Sequence, residues 1–188
     1  FSHFQPMTAK ELAEIERQSL RAGDIIRALR SFIRKDEGAR AEFDFADLLG
    51  QTLRLVQAEA AEAQVCIETP LPANLPPVIG NRVQIAQVLV NLLHNAIEAM
   101  AEANSDMRQI TITASEAEGM VTVAVEDTGP GVPAGLNLFT QFETTKPDGM
   151  GLGLSICRAM VEANGGTLWY DGNPGPGAKF YFTIPVYR

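Results

Sequence analysis

Starting at Leu12, the residues Leu12, Ile15, Ser19, Ala22, Ile26, Leu29 and Ile33 recur at alternating spacings of three and four, with no proline between Thr8 and Arg40. This heptad stripe predicts a long helix that buries a narrow seam against partner helices, and its small members Ser19 and Ala22 let those helices approach closely. The polar run from Lys35 to Arg40 contains Gly38, a helix stop. The chain therefore divides into a helical segment, residues 1–40, and a second domain, residues 41–188.

In the second domain Asp44 is placed to cap a helix whose apolar positions Phe45, Leu48, Leu49, Thr52, Leu53 and Val56 follow the 3.6-residue period. Val65 to Thr69 predicts a short strand, and the proline-rich stretch Pro70 to Pro77 a loop. Asn81 or a neighbour opens a strongly apolar helix that runs to about Met100. Ile110 to Ala114 and Val121 to Val125 alternate apolar and polar residues, which predicts a hairpin turning near Glu118 and Gly119. A third helix is expected from about Gly151 to Ala163, stopped by Gly165 and Gly166. The strands Thr167 to Tyr170 and Ala178 to Ile184 then flank a turn rich in Gly and Pro, Gly172 to Gly177. This order predicts an α+β fold, a mixed sheet covered on one face by helices.

Composition changes that picture in three ways. With 46% hydrophobic residues in 188, the chain can bury one good core, but it has no apolar run of the roughly 18 residues needed to span a bilayer. It also lacks the features of a signal peptide; a cytoplasmic location is expected, with no direct membrane insertion of this segment, although a longer parent can still be membrane-anchored. Residues 1–40 carry eight basic and six acidic side chains, leaving seven against seventeen in residues 41–188, a net charge of −10 there. Nucleic acid is excluded as a partner of so acidic a domain, and an anionic ligand must be held by backbone amides, a few placed cations and a metal ion. Cys66 and Cys157 are isolated within apolar runs and fit no metal-ligand spacing, so both are expected to be buried free thiols.

Four segments carry chemistry. In NLLHNAIEA, Asn91 and Asn95 lie four apart with Glu98 a turn further on, so one face of an otherwise apolar helix is polar. Such a pair taken alone most often solvates a helix surface. EDTGPG places Asp127 directly after a strand, with Gly129 and Gly131 permitting close backbone approach and positive φ; taken alone it is equally a plain strand-to-loop turn. In LFTQFETTK, Phe139 and Phe142 are ordinary core candidates on their own. GMGLGL sets Gly149, Gly151 and Gly153 immediately ahead of a helix, where exposed amides at a positive helix end form an anion site. A dinucleotide fingerprint is rejected, because it would follow the first strand of a βαβ unit and this one follows a loop late in the chain.

The ordered set of these four motifs resembles the nucleotide-binding domain of sensor histidine kinases, within the GHKL group that also holds type II topoisomerase, chaperone and mismatch-repair ATPases. The resemblance implies the Bergerat fold, a two-layer α/β sandwich, preceded here by part of a dimerisation and histidine-phosphotransfer hairpin. It implies ATP and Mg²⁺ as ligands, with Asn95 coordinating the metal, and Asp127 accepting a hydrogen bond from the adenine amino group. Gly129, Gly131 and Val132 would line the base; Gly149, Met150, Gly151, Leu152, Gly153 and Leu154 would cradle the phosphates. Between the glycine boxes the resemblance implies a mobile lid, in which Phe139, Phe142, Thr144, Thr145 and Lys146 match the signature, and Lys146 and the threonines would reach phosphate oxygens when it closes. Only five residues separate Val132 from Leu138, a shorter gap than the family pattern leads one to expect. Hydrolysing relatives typically carry a glutamate at the position of Asn91. A carboxamide is no useful base near neutral pH, so ATP should be held without fast hydrolysis and its γ-phosphate left for a histidine. For His94 two roles stand open, a hydrogen bond to phosphate or a satisfied helix histidine; it is not expected to be the phosphoacceptor.

The expected activity is that of a protein-histidine kinase, with Asn91, Asn95 and Lys146 in catalytic roles, a response-regulator receiver domain as partner and a homodimer in the full-length parent. Gln18 to Ile33 resembles the second helix of the hairpin, so the first helix and its acceptor histidine are expected upstream of residue 1. His3 sits too close to the second helix, and aligning Gln5 and Pro6 on the family motif puts Phe1 at the acceptor position. Cis autophosphorylation by this chain is therefore not expected. The competing readings are another GHKL-fold ATPase or serine-type kinase, and a nucleotide-binding dimerisation module without kinase activity.

Overall fold

The computed structural model describes residues 39–133, 135, 138, 139, 153–171 and 176–188. The heptad stripe from Leu12 to Ile33 lies outside them. Gly38–Arg188 forms a compact unit of its own.

Seven strands and three helices make up the described residues: β1 (Ala41–Phe43), α1 (Phe45–Glu62), β2 (Cys66–Glu68), β3 (Val78–Gly80), α2 (Arg82–Glu102), β4 (Gln109–Ala117), β5 (Met120–Asp127), α3 (Gly153–Ala163), β6 (Leu168–Tyr170) and β7 (Lys179–Pro185). Five strands form a mixed sheet in the order β2-β4-β5-β7-β6, with β2 parallel to β4 and the other pairs antiparallel. All three helices pack on one face of it. The expected α+β sandwich is what forms.

The periodicities explain why. Along β4 the inward residues Ile110, Ile112 and Ala114 are buried, as are Val121, Val123 and Val125 of β5 and Phe182 and Ile184 of β7. Opposite them lie Leu48, Leu49 and Val56 of α1, Ile85, Leu89, Leu92, Leu93 and Ile97 of α2, and Cys157 and Val161 of α3. Each Leu, Ile or Val removed from water in this layer contributes about 1.5–3 kcal/mol. The β4–β5 turn is the two-residue kind, with Glu118 at φ 55° and Gly119 at φ 77°, whose twist matches that of the strands. Asp44 caps α1 by accepting from Asp47 N–H at 3.0 Å, and Asn81 caps α2 by accepting from Val83 and Gln84 N–H at 3.1 and 3.2 Å.

Two expectations need correction. The stretch around Pro70 to Pro77 is a loop, but β1 and β3, which pair antiparallel on either side of α1, were not foreseen. At three residues each they are too short to display a period. Cys66 is exposed, not buried. It sits on the edge strand β2, where alternation sends Ile67 toward the core and leaves Cys66 and Glu68 on the open face. Cys157 is buried as expected.

Candidate nucleotide site

Strand β5 ends at Asp127, which is 8% exposed. Its Oδ1 accepts from Gly129 N–H at 2.8 Å and from Ala178 N–H at 3.2 Å, and its own N–H donates to the Ala178 carbonyl at 2.9 Å. Both side-chain bonds fall on one oxygen, so among the described residues Oδ2 keeps its lone pairs for a ligand. Burial pushes the Asp127 carboxyl above the usual carboxylate range; the Gly129 and Ala178 amides pull against that, and the Glu126 charge adds to it.

The turn after Asp127 is built around missing side chains. A Cβ at Gly129 would sit 2.9 Å from Asp127 Oδ1 and 3.2 Å from Met100 Cγ, so glycine is required there by contact. Gly131 is required by conformation, with φ 79°. Gly177 reaches in from the end of the chain: its N–H donates to the Gly129 carbonyl at 2.6 Å, its φ is 96°, and a Cβ would collide with the Asp127 carbonyl. Thr128 locks the turn to β4, its hydroxyl donating to the Met107 carbonyl at 2.8 Å and accepting from Gln109 N–H at 3.0 Å.

On α2, Asn91, Asn95 and Glu98 share one half-buried face. Asn91 Nδ2 donates to Cys157 Sγ on α3 at 3.3 Å, and its Oδ1 lies 3.8 Å from where a Cβ on Gly153 would be. Asn91 thus borders Gly153, the first described residue of α3. An amide oxygen there is a hard donor of the kind a divalent cation takes. His94 is half-exposed, with Nδ1 2.7 Å from Glu59 Oε1 on α1. The bond gives the imidazole a partner across the α1–α2 interface, as a satisfied helix histidine has.

Val132 and Leu154 are half-buried, Leu154 against the core. Phe139 also packs on the core, with the Arg158 guanidinium 5.4 Å from its ring centroid. Phe142, Thr144, Thr145, Lys146, Gly149, Met150, Gly151 and Leu152 lie outside the described residues. Sequence reasoning passed over Thr128, Cys157, Gly177 and Ala178. Thr128 stood inside a motif already singled out, whereas Gly177 and Ala178 lie about fifty residues from Asp127 and only the β5–β7 pairing brings them to it.

A further network ties the end of α3 to the start of α2. Asn164 is 1% exposed; its Oδ1 accepts from Asn81 N–H at 2.5 Å, and its Nδ2 donates to Gln84 Oε1 at 2.7 Å and to the Met160 carbonyl at 2.8 Å. Arg40 donates to the Asn164 carbonyl at 3.0 Å. Gly165, at φ 82°, and Gly166 then close the helix by bonds to the Glu162 and Val161 carbonyls, the glycine stop foreseen from sequence.

A buried acceptor at the end of a sheet strand, a glycine collar around it and a polar face on α2 outline a candidate nucleotide site in a two-layer sandwich. Residues 80–188 match the family described as histidine kinase-, DNA gyrase B-, and HSP90-like ATPase. The chain is 42% identical over 187 residues to the sensor protein FixL of Bradyrhizobium diazoefficiens, an alignment covering 96% of this chain and 37% of that protein. Among solved structures, full-length ShkA in complex with AMPPNP superposes with a TM-score of 0.75 at 28% identity, over 97% of this chain and 41% of that one. Histidine kinase ThkA in complex with the response regulator protein TrrA gives a TM-score of 0.75 at 28% identity, over 97% and 53%. The chain therefore belongs to the histidine kinase-, DNA gyrase B- and HSP90-like ATPase family, as an ATP-binding catalytic domain of the sensor-histidine-kinase kind. It spans well under half the length of FixL. No helix among the described residues is long and apolar enough to cross a membrane.

Proposed function

We propose that this domain holds Mg·ATP and presents the γ-phosphate to a histidine on a helical hairpin, from which a response-regulator aspartate later takes it. An imidazole nitrogen forms the new bond to the γ-phosphorus as the bond to the β-γ bridging oxygen breaks and ADP departs. Asp127 selects adenine through Oδ2, and Asn95 supplies an amide oxygen to Mg²⁺, which offsets charge on the phosphates. Lys146, Thr144 and Thr145 close on the phosphate oxygens from the lid. Residues 1–40 belong to the hairpin, the parent is a homodimer, and the reaction runs on cytoplasmic ATP.

The observation that carries the reading is Asn91. It stands on the nucleotide face of α2, held to α3 by its hydrogen bond to Cys157, where hydrolysing members of the family resemblance carry a glutamate. With a carboxamide there, no described side chain at that position can take a proton from water. The test is calorimetric titration of ATP with and without Mg²⁺, followed by addition of a histidine-bearing hairpin and radiolabelled ATP. Metal-dependent binding, little sustained heat of hydrolysis and label on the hairpin are expected. Sustained hydrolysis would move the chain to the ATPases, and tight binding with no labelled hairpin would leave a nucleotide-binding module.

A further inference from the structure

We infer that Cys157 is a positioning residue for this site: its sulfur takes the Asn91 amide hydrogen and so turns the carboxamide oxygen toward the Gly153 end of α3. The inference rests on the ATP reading above and deepens it. A terminal amide torsion is soft, and its two ends differ only in what they bond, so the partners choose which end faces the ligand. Asn91 Nδ2 lies 3.3 Å from Cys157 Sγ, inside the α2–α3 interface. The oxygen therefore faces outward, 3.8 Å from the position a Gly153 Cβ would take.

Cys157 is suited to accept and to do nothing else. It is wholly buried, so its sulfur meets Asn91 away from solvent. The consequence is chemical selectivity. An outward oxygen favours a divalent ion or the water bound to it, whereas an outward NH₂ would favour bare phosphate oxygen and repel the ion. Cys157 thereby biases the site toward the metal-bound nucleotide.

The test compares Cys157→Ala and Cys157→Ser with the parent chain in two readouts. The first is the ratio of ATP dissociation constants measured in EDTA and in Mg²⁺. The second is the Asn91 side-chain amide resonance in nucleotide-free protein labelled with ¹⁵N. C157A is expected to lower the Mg²⁺ enhancement roughly three- to tenfold, the worth of one hydrogen bond, and to shift the Asn91 resonance, with metal-free binding unchanged or tighter. C157S, whose hydroxyl accepts in the same place, is expected to restore both. An unchanged ratio with an unshifted resonance in C157A overturns the inference, and so does an equal loss in C157A and C157S, which would assign the effect to packing. If the parent chain shows no Mg²⁺-dependent binding, it is the ATP reading that fails; the Asn91 resonance then still decides the orientation.

Discussion

At Asp127 one carboxylate is given two opposed tasks. On the proposed function it is desolvated so as to select a base by hydrogen bonding, and desolvation is what raises its proton affinity. Because its folded pKa lies above its unfolded one, the folded state binds more protons in the window between them, so this group's contribution to stability falls as pH rises through that window. Asp127→Asn keeps an oxygen for the Gly129 and Ala178 amides but turns an NH₂ toward the adenine amino group. At neutral pH the variant is expected to melt no lower than the parent and to bind ATP roughly ten- to hundredfold more weakly, the scale of a lost charge-assisted hydrogen bond. Its melting advantage should vanish in acid, where the parent carboxyl is also neutral. Thermal melts across pH together with ATP titrations check both halves, and a variant that melts lower at neutral pH would mean the ionised carboxylate is a net stabiliser.

Helix α3 starts at Gly153, and a polar knot holds its far end. Asn164 joins the α3 terminus to the α2 N-cap through Asn81 and Gln84. Removing that side chain takes the Asn164 acceptor from the Asn81 N–H and the Asn164 donor from Gln84 Oε1, each loss costing on the order of 1–3 kcal/mol. Asn164→Ala is expected to lose about 2–3 kcal/mol in urea unfolding with the slope unchanged, and to weaken ATP binding because α3 is no longer held against α2. A change below about 0.5 kcal/mol would show that water replaces the side chain freely.

Over the whole molecule, the catalytic unit from Gly38 onward has its own core and sheet. A chain starting at residue 38 is therefore expected to unfold in one cooperative transition and to bind ATP within about twofold of the full chain. It should fail, however, to bring a histidine to the nucleotide in trans as efficiently if residues 1–40 are part of the docking hairpin. Differential scanning calorimetry and the hairpin-labelling assay separate these outcomes. Broad or multiple transitions would mean that residues before 38 complete the core.

Sequence alone determined what is local. Period and capping residues located α1, α2, the β4–β5 hairpin and the glycine stop of α3, since a side chain's place on a helix or strand face follows from spacing alone. The motifs located Asn91, Asn95 and Asp127 for the same reason: each lies within a few residues of the signal that marks it. The tertiary structure decided what is distant. It chose the strand order β2-β4-β5-β7-β6, which puts Ala178 on Asp127 and exposes Cys66 at the sheet edge. It also brought Cys157 to Asn91 and Asn164 to Asn81, 66 and 83 residues apart. Hydrogen bonds across such separations exist only once helices are packed and strands are in register, and no periodicity along the chain records them.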